Sequence, residues 1–357
     1  MARIGKPRGR SMTAASTPMR DLPRQRPLFF ARGAECAYGW FFTPVPAIWP
    51  EVARILLGCV LVGTYLRLLP FAAVLFGPQG IGGHDSLARW PGWAGLAYEA
   101  FARYRVLHLF AAPWAAMALY GLLLASAVCF LLGVFPRWTG ALAAGLHIVF
   151  TAHNPQLRAG WSWLLGPFVL YVAAANPTGR LSLPALVTRS RGEPPREHYL
   201  VPWGLRLLQV HVAMMYVAAG VERLDAPGWI HGEMVLRALV NAGYARLNFD
   251  WFALRPILVA IAYGVLVIEP IAAFLLWWPR AAKVLVPILI AMHVGIEVLI
   301  DAGYWQWLMC AGLVTFLPAA RPRELAGRGG SAEARRAPEP AIAGAPPSDP
   351  TQARAAP

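Results

Sequence analysis

Long apolar stretches, separated by short polar or basic segments, make up most of the chain between residues 52 and 318. A helix needs roughly 20 apolar residues to cross the hydrocarbon layer of a bilayer, and about 17 is the lower limit. The pattern predicts an all-α, polytopic transmembrane bundle of about eight membrane helices, with one more or one fewer left open because three stretches are short. The predicted spans cover residues 52–76, 109–132, 137–153, 161–175, 203–221, 256–278, 284–300 and 303–318.

The two ends of the chain have a different composition. Residues 1–27 are basic and contain proline, and residues 319–357 are rich in Pro, Ala and Arg. Neither segment can build a hydrophobic core, so both are predicted to be disordered. Residues 28–49 are aromatic but interrupted by charges and prolines, which favours a segment lying in the membrane interface. We therefore predict a basic tail with an interfacial segment at 1–46, a transmembrane domain at 47–318 and a disordered tail at 319–357.

The composition excludes an ordinary soluble domain. Of the 357 residues, 57% are hydrophobic and only 14% are charged, whereas about a quarter of the residues in soluble proteins are charged. The net charge of +14 comes mainly from the tails and a few loops, so we expect the lipid bilayer as a partner and no nucleic acid. With both termini cytoplasmic, 21 lysines and arginines lie on the inside and 8 outside. This asymmetry predicts a multi-pass protein of the cell membrane with both termini in the cytoplasm.

Ionisable side chains within the apolar stretches are the candidates for function. A charge at membrane depth costs about 2.5–3.5 kcal/mol on insertion scales and normally faces a bundle interior or a cavity. The fifth predicted span, residues 203–221 and its continuation, is rich in such groups. At 100° per residue, His211 and Glu222 share one helical face. The adjacent face carries Gln209, Tyr216 and Arg223.

The segment that follows this span marks its end. Asp225, Pro227 and Gly228, together with Trp229, break the helix at the predicted outer interface. Two interpretations stay open. The polar stripes either line a functional cavity, or Gly220 and nearby alanines allow close helix packing while the charged doublet pairs with neighbouring helices.

The sixth and seventh spans add a second group of polar residues. His293 and Glu297 lie four residues apart on one helical face, and Glu269 lies late in the preceding span. Together they favour either a proton relay or acid/base site, or a structural network that fixes the packing of the bundle. His147 and His153 are six residues apart, about 240° around a helix, so no metal site is predicted from them.

Four stretches of the chain, taken in their order and spacing, carry a resemblance to a known family. They are EVARILLGCVLVGTYLRL, HNPQLRAGWSWLL, QVHVAMMYVAAGVERLDAPGWIHGEMV and VLVIEPIAAFLLWWPRAAKVLVPILIAMHVGIEVLI. The sequence resembles the HTTM (horizontally transferred transmembrane) domain family, which is related to the membrane domain of vitamin K-dependent gamma-glutamyl carboxylase. The resemblance covers residues 47–318 and implies a helical membrane bundle with its site toward the non-cytoplasmic side.

The resemblance also implies a chemistry that this sequence departs from. In the carboxylase, a quinol cofactor is deprotonated and oxygenated, and the strong base so formed removes a proton from a glutamate side chain. The carboxylase branch has two lysines where this sequence has Glu222 and Arg223, and the second lysine is the base that starts the reaction. An arginine side chain stays protonated in proteins. We therefore do not expect vitamin K-type carboxylation.

These observations lead to one main functional hypothesis and two alternatives. The protein is predicted to bind or modify a lipid, a quinone or other prenyl lipid, or a lipidic peptide, with no metal. Arg223 would hold an anionic or carbonyl group of the ligand, and Glu222 and His211 would tune the properties of that group. Whether a reaction occurs stays open; if it does, these three residues are the catalytic candidates. The alternatives are a maturation or export partner for a secreted peptide, and a small-solute transporter. The other predicted ligand-binding residues are Gln209, Tyr216, Trp229, Glu269, His293 and Glu297.

Overall fold

The computed structural model describes residues 29–77, 113–154, 157, 159–192 and 198–319. The predicted disordered tails therefore lie outside the described residues, apart from Ala319. The chain divides into two units, one within residues 1–43 and one from residue 44 onward. The first unit contains helix α1, Phe29–Phe42.

The described residues of the second unit are mostly helical. One short antiparallel ladder joins β1, Val45–Pro46, to β2, Tyr199–Leu200. The helices before β2 are α2 Ile48–Leu68, α3 Ala72–Phe76, α4 Pro113–Leu132, α5 Pro136–His153, α6 Gly160–Ala175 and α7 Leu183–Ser190. Those after it are α8 Trp203–Leu224, α9 Pro227–Ile230, α10 Met234–Val240, α11 Arg255–Leu275, α12 Pro279–Leu299 and α13 Trp305–Leu313. Single turns of 3₁₀ helix follow α2, precede α11 and follow α13.

The all-α membrane architecture is confirmed, but the predicted number of eight spans is not. Among the described residues, five helical segments are long and apolar enough to cross a bilayer. The shorter apolar helices are Gly160–Ala175 and Trp305–Phe316, and α5 carries Arg137 and two histidines that lower its hydropathy. The five segments are Ile48–Phe76, Trp114–Leu132, Trp203–Leu224, Trp251–Leu275 and Pro279–Leu299.

Four helices form the centre of the bundle. Helices α6 and α13 pack on each other and on both α2 and α8. Helices α4 and α5 pack outside α2 and α6, and α11 and α12 pack chiefly on α8 and α13, respectively. One close approach depends on a glycine: a Cβ atom added to Gly220 would lie 3.1 Å from the Cβ of Pro270. Helices α8 and α11 therefore meet closely where their polar residues lie, as small residues allow in membrane bundles.

Two buried side chains of opposite charge, Glu51 and Arg54, lie at the beginning of α2. Arg54 is fully buried and donates hydrogen bonds to the carbonyl oxygens of Phe130, Leu131 and Leu181. The first two carbonyls belong to the last turn of α4, where the helix leaves them without an intrahelical partner. Glu51, 1% exposed, lies one turn before Arg54 and accepts a hydrogen bond from the backbone N–H of Leu181. The pair thus fixes the end of α4 and the 176–182 turn to α2, with positive charge at a helix C-terminus as the helix dipole favours.

Candidate functional site

A small cavity lies among α8, α11, α12 and the beginning of α13. Its volume is about 100 Å³, several times the roughly 10–15 Å³ that one water molecule needs by the same measure. Apolar side chains form most of its wall, and the polar ones come from all four helices. The lining residues are Met215, Tyr216, Ala219, Arg223, Glu269, His293, Ile296, Trp305, Gln306 and Met309.

An ion pair between two helices forms one side of the cavity. The guanidinium of Arg223, in the last turn of α8, contacts the carboxylate of Glu269 in α11. The side chain of Glu269 is 5% exposed and that of Arg223 is 22% exposed, so the charges compensate each other away from bulk water. The ring of Trp229 lies 4.5 Å from the guanidinium carbon and covers one face of it. This geometry is a cation–π contact.

A chain of hydrogen bonds forms another part of the cavity wall. His293 is buried in α12, and its Nδ1 lies 2.5 Å from Oε1 of Gln306 while its Nε2 lies 2.9 Å from the Tyr216 hydroxyl. An amide oxygen only accepts hydrogen bonds, so Nδ1 carries the proton and donates. Nε2 then accepts from the Tyr216 O–H. A neutral imidazole in this tautomer therefore has a hydrogen-bond partner for each ring nitrogen.

Three of the predicted residues on α8 lie outside this cavity. Glu222 is exposed although its neighbour Arg223 lines the wall. His211 packs edge-on against the rings of Phe168 and Tyr171 of α6, with ring centroids 5.3 and 5.9 Å away. The third residue is Gln209. Helical periodicity places Glu222, His211 and Gln209 on one side of α8 but does not show which neighbouring helix each side chain contacts.

Gln209, the third of these residues, is buried at the other end of α8. Its Nε2 donates to the Thr315 carbonyl oxygen over 2.7 Å, and its Oε1 accepts from Arg206. It shares a helical face with Arg223 but precedes it by 14 residues, about 21 Å along the axis. Gln209 thus joins the first half of α8 to the 3₁₀ turn that follows α13.

Glu297 belongs to a different ion-pair cluster. Its carboxylate accepts a hydrogen bond of 2.9 Å from Arg246, which also lies 3.4 Å from Asp301. Beyond the spans, the hydrogen bond from Arg237 lowers the pKa of the Glu233 carboxyl below its usual value. Of the two residues predicted to act together on α12, His293 lines the cavity and Glu297 ties α12 to the segment before α11.

Gln306 is the member of the site that the sequence analysis missed. It is 6% exposed and directs the tautomer of His293. The signal was present as a single amide within the apolar sequence YWQWLMCAGL, because buried polar side chains in a membrane helix require partners. Among the described residues, no group of three or more His, Cys, Asp or Glu side chains is arranged to hold a metal ion.

Comparison with known proteins identifies the family. The HTTM domain matches residues 81–320, which is more than half of the chain and includes every lining residue of the cavity. The match begins after α2, so the first of the four resembling stretches lies outside it although α2 packs in the same core. No curated protein and no solved structure showed significant similarity. The extent of the domain match establishes that this integral membrane protein belongs to the HTTM family.

Proposed function

We propose that this HTTM protein binds the polar headgroup of a prenyl quinone, or of a related prenyl lipid, in the cavity beside Arg223. One observation carries the proposal: an ion pair and a Tyr–His–Gln chain line the same cavity, and most of its lining residues lie on helices capable of spanning a bilayer. Polar groups at that depth are costly and are characteristic of ligand or ion sites. A few polar groups in an apolar wall are also the usual composition of small-molecule sites.

The donors at the cavity suit a carbonyl oxygen. A guanidinium has five N–H groups in a planar fork, and the contact with Glu269 engages one edge of it. In the proposed complex another N–H of Arg223 donates to a headgroup carbonyl. Trp229 restrains the guanidinium by covering its face.

The apolar parts of the wall suit a ring and an attached isoprenoid chain. Met215, Ile296 and Met309 line the cavity and would pack against the ring faces. The tail would lie on the lipid-facing surface of α11 and α12, which pack mainly on other helices rather than on each other. In the most apolar window of α12, 22% of the residues are buried, so much of this helix is accessible to lipid.

The same geometry supports a departure from carboxylase chemistry. The resemblance implies that Arg223 stands at the position of the carboxylase base, and Arg223 is ion-paired with Glu269. A protonated guanidinium compensated by a carboxylate is not a proton acceptor. The proposal therefore concerns binding of the headgroup, with Tyr216 and His293 as hydrogen-bonding groups of the wall.

The test uses the full-length protein in a non-ionic detergent. Native mass spectrometry would identify copurified prenyl lipid, and calorimetric titration with ubiquinone-1 would give a Kd. We expect the double variant Arg223→Gln/Glu269→Gln, which leaves no unpaired buried charge, to raise the Kd at least tenfold. The matched control is Arg237→Gln, since Arg237 is exposed and lies outside the cavity.

Two results would overturn the proposal. One is the absence from the wild type of both copurified prenyl lipid and saturable binding of ubiquinone-1. The other is an equal Kd for the double variant and Arg237→Gln. A copurified peptide in place of a lipid would favour the peptide-maturation alternative.

A further inference from the structure

A second and larger cavity lies at the end of the bundle where α2 and α5 finish and α6 begins. Its volume is about 290 Å³, close to the lower limit of about 300 Å³ for small-molecule sites. None of its lining residues belongs to the Arg223 cavity. They are Thr64, Tyr65, Arg67, Leu68, His147, Phe150, Thr151, Leu157, Trp161, Ser162 and Tyr304.

A Tyr–His pair also lines this cavity. The Nε2 of His147 lies 2.9 Å from the carbonyl oxygen of Ser162, so Nε2 carries the proton and donates. Nδ1 then accepts from the Tyr65 hydroxyl over 2.8 Å. Both residues are almost fully buried, and this hydrogen bonding leaves neither as a charged partner for a ligand.

The charged group at this cavity is Arg67. It lies in the last turn of α2 and is exposed at the cavity. Within the part of the chain that the structure describes, Arg67 forms no ion pair and no hydrogen bond through its side chain. An arginine at the end of a membrane span normally has an anionic partner or reaches the headgroup region.

The walls beside Arg67 are mainly apolar and aromatic. Leu68, Phe150 and Leu157 lie in them, and the rings of Trp161 and Tyr304 meet edge to face with centroids 5.0 Å apart. Among the described residues, the Tyr304 hydroxyl makes no hydrogen bond. Across its described lining residues, the cavity therefore combines one cation, one hydroxyl that makes no hydrogen bond and a mainly apolar wall.

We propose that this cavity binds a single-chain amphipathic anion, with its carboxylate or phosphate on Arg67 and its alkyl chain along the apolar wall. A guanidinium recognises either anion by paired N–H donors. The modest volume favours one alkyl chain over the two of a phospholipid. The site is separate from the Arg223 cavity and does not rest on the function proposed for it.

The experiment uses the full-length protein in nanodiscs of phosphatidylcholine. The first probe is dibromostearate, because bromine quenches tryptophan fluorescence at near contact and Trp161 lines the cavity. Dibromostearyl alcohol supplies the uncharged comparison, and a brominated lysophosphatidic acid supplies the phosphate arm. The fraction of quenching that disappears in Trp161→Phe reports the site itself.

We expect saturable, Trp161-dependent quenching by an anionic probe, at least tenfold weaker for the alcohol. Arg67→Gln should raise the Kd at least tenfold, whereas Arg137→Gln, at an exposed arginine of α5, should not change it. Leu68→Trp should abolish binding by filling the cavity while Arg67 is kept. Tighter binding of the stearate or of the lysophosphatidic acid would support a carboxylate or a phosphate ligand, respectively.

Equal quenching by the acid and the alcohol would overturn the proposal. So would identical Kd values for Arg67→Gln and Arg137→Gln, or the absence of a Trp161-dependent component. Binding of ubiquinone-1 at the Arg223 cavity is measured separately and is expected to be unchanged in Arg67→Gln, so the two proposals can fail independently.

Discussion

The hydroxyl of Tyr216 donates a hydrogen bond to Nε2 of His293, which joins the middle of α8 to α12 in the cavity wall. Because Nδ1 of the same ring donates to Gln306, both imidazole nitrogens are satisfied and the ring needs no charge. This arrangement fixes three helices with neutral groups, which are less costly in a bilayer than ionised ones.

Replacing Tyr216 with phenylalanine should show how much this hydrogen bond contributes to stability. The change removes one O–H and leaves a buried imidazole nitrogen without its donor, so we expect a loss of about 1–3 kcal/mol in the free energy of unfolding. Unfolding in mixed micelles of increasing SDS fraction, followed by circular dichroism, would measure it. Tyr263→Phe is the control, because that exposed hydroxyl bonds only the Ile230 carbonyl at the surface. Equal losses in the two variants would contradict the expectation.

The ion pair between Arg223 and Glu269 predicts strong non-additivity. Either Arg223→Gln or Glu269→Gln leaves one largely buried charge without its partner, which costs about 3–5 kcal/mol when a buried pair is broken. The double variant should lose less than the two single variants combined. SDS unfolding of all four proteins would give the coupling energy. A coupling energy of zero would show that the pair is not formed in the membrane.

Gly179 should tolerate no side chain. A Cβ atom at this position would lie 2.7 Å from Oε2 of Glu51, so Gly179→Ala must displace a buried carboxylate. We expect a loss of about 1–3 kcal/mol, as in other overpacked sites. Gly145→Ala is the matched control, because a Cβ there meets no atom within 4 Å and alanine favours the helix. Comparable stability of the two variants would argue against the packing of Glu51 against the turn.

The predicted orientation can be tested by cysteine labelling. The background has the four natural cysteines replaced by alanine. In the sequence, Arg189→Cys precedes α8 and Arg237→Cys follows it. With both termini cytoplasmic, a membrane-impermeant maleimide should label Arg237→Cys on intact cells and Arg189→Cys only after permeabilisation. Labelling of both from the same side would exclude α8 as a full span.

The fold was largely predictable from hydropathy, and the pairing of polar residues was not. The break after Asp225 followed from Pro227 and Gly228, and α8 does end at Leu224. Helix periodicity assigned Gln209 and Arg223 to one face, as the structure shows. It could not show that they serve different sites, because a common face does not imply a common depth.

Contacts between helices could not be predicted from the sequence for a related reason. Arg223 meets Glu269 because α8 and α11 have one particular rotation and offset, and neither is encoded within a single helix. Glu51 was overlooked although it lies three residues before Arg54, a spacing at which side chains on a helix meet. Its main partner, the backbone of the 179–181 turn, is distant in the sequence.

The hydrogen bonds of Arg54 bear on how the protein is made. Its guanidinium lies in the first described helix of the bundle, yet its acceptors are separated from it by 76, 77 and 127 residues of chain. When the ribosome has just completed α2, none of these carbonyls has been synthesised. We therefore expect the guanidinium to stay at the lipid headgroups, which a long arginine side chain can reach, until its acceptors at residues 130, 131 and 181 have been made.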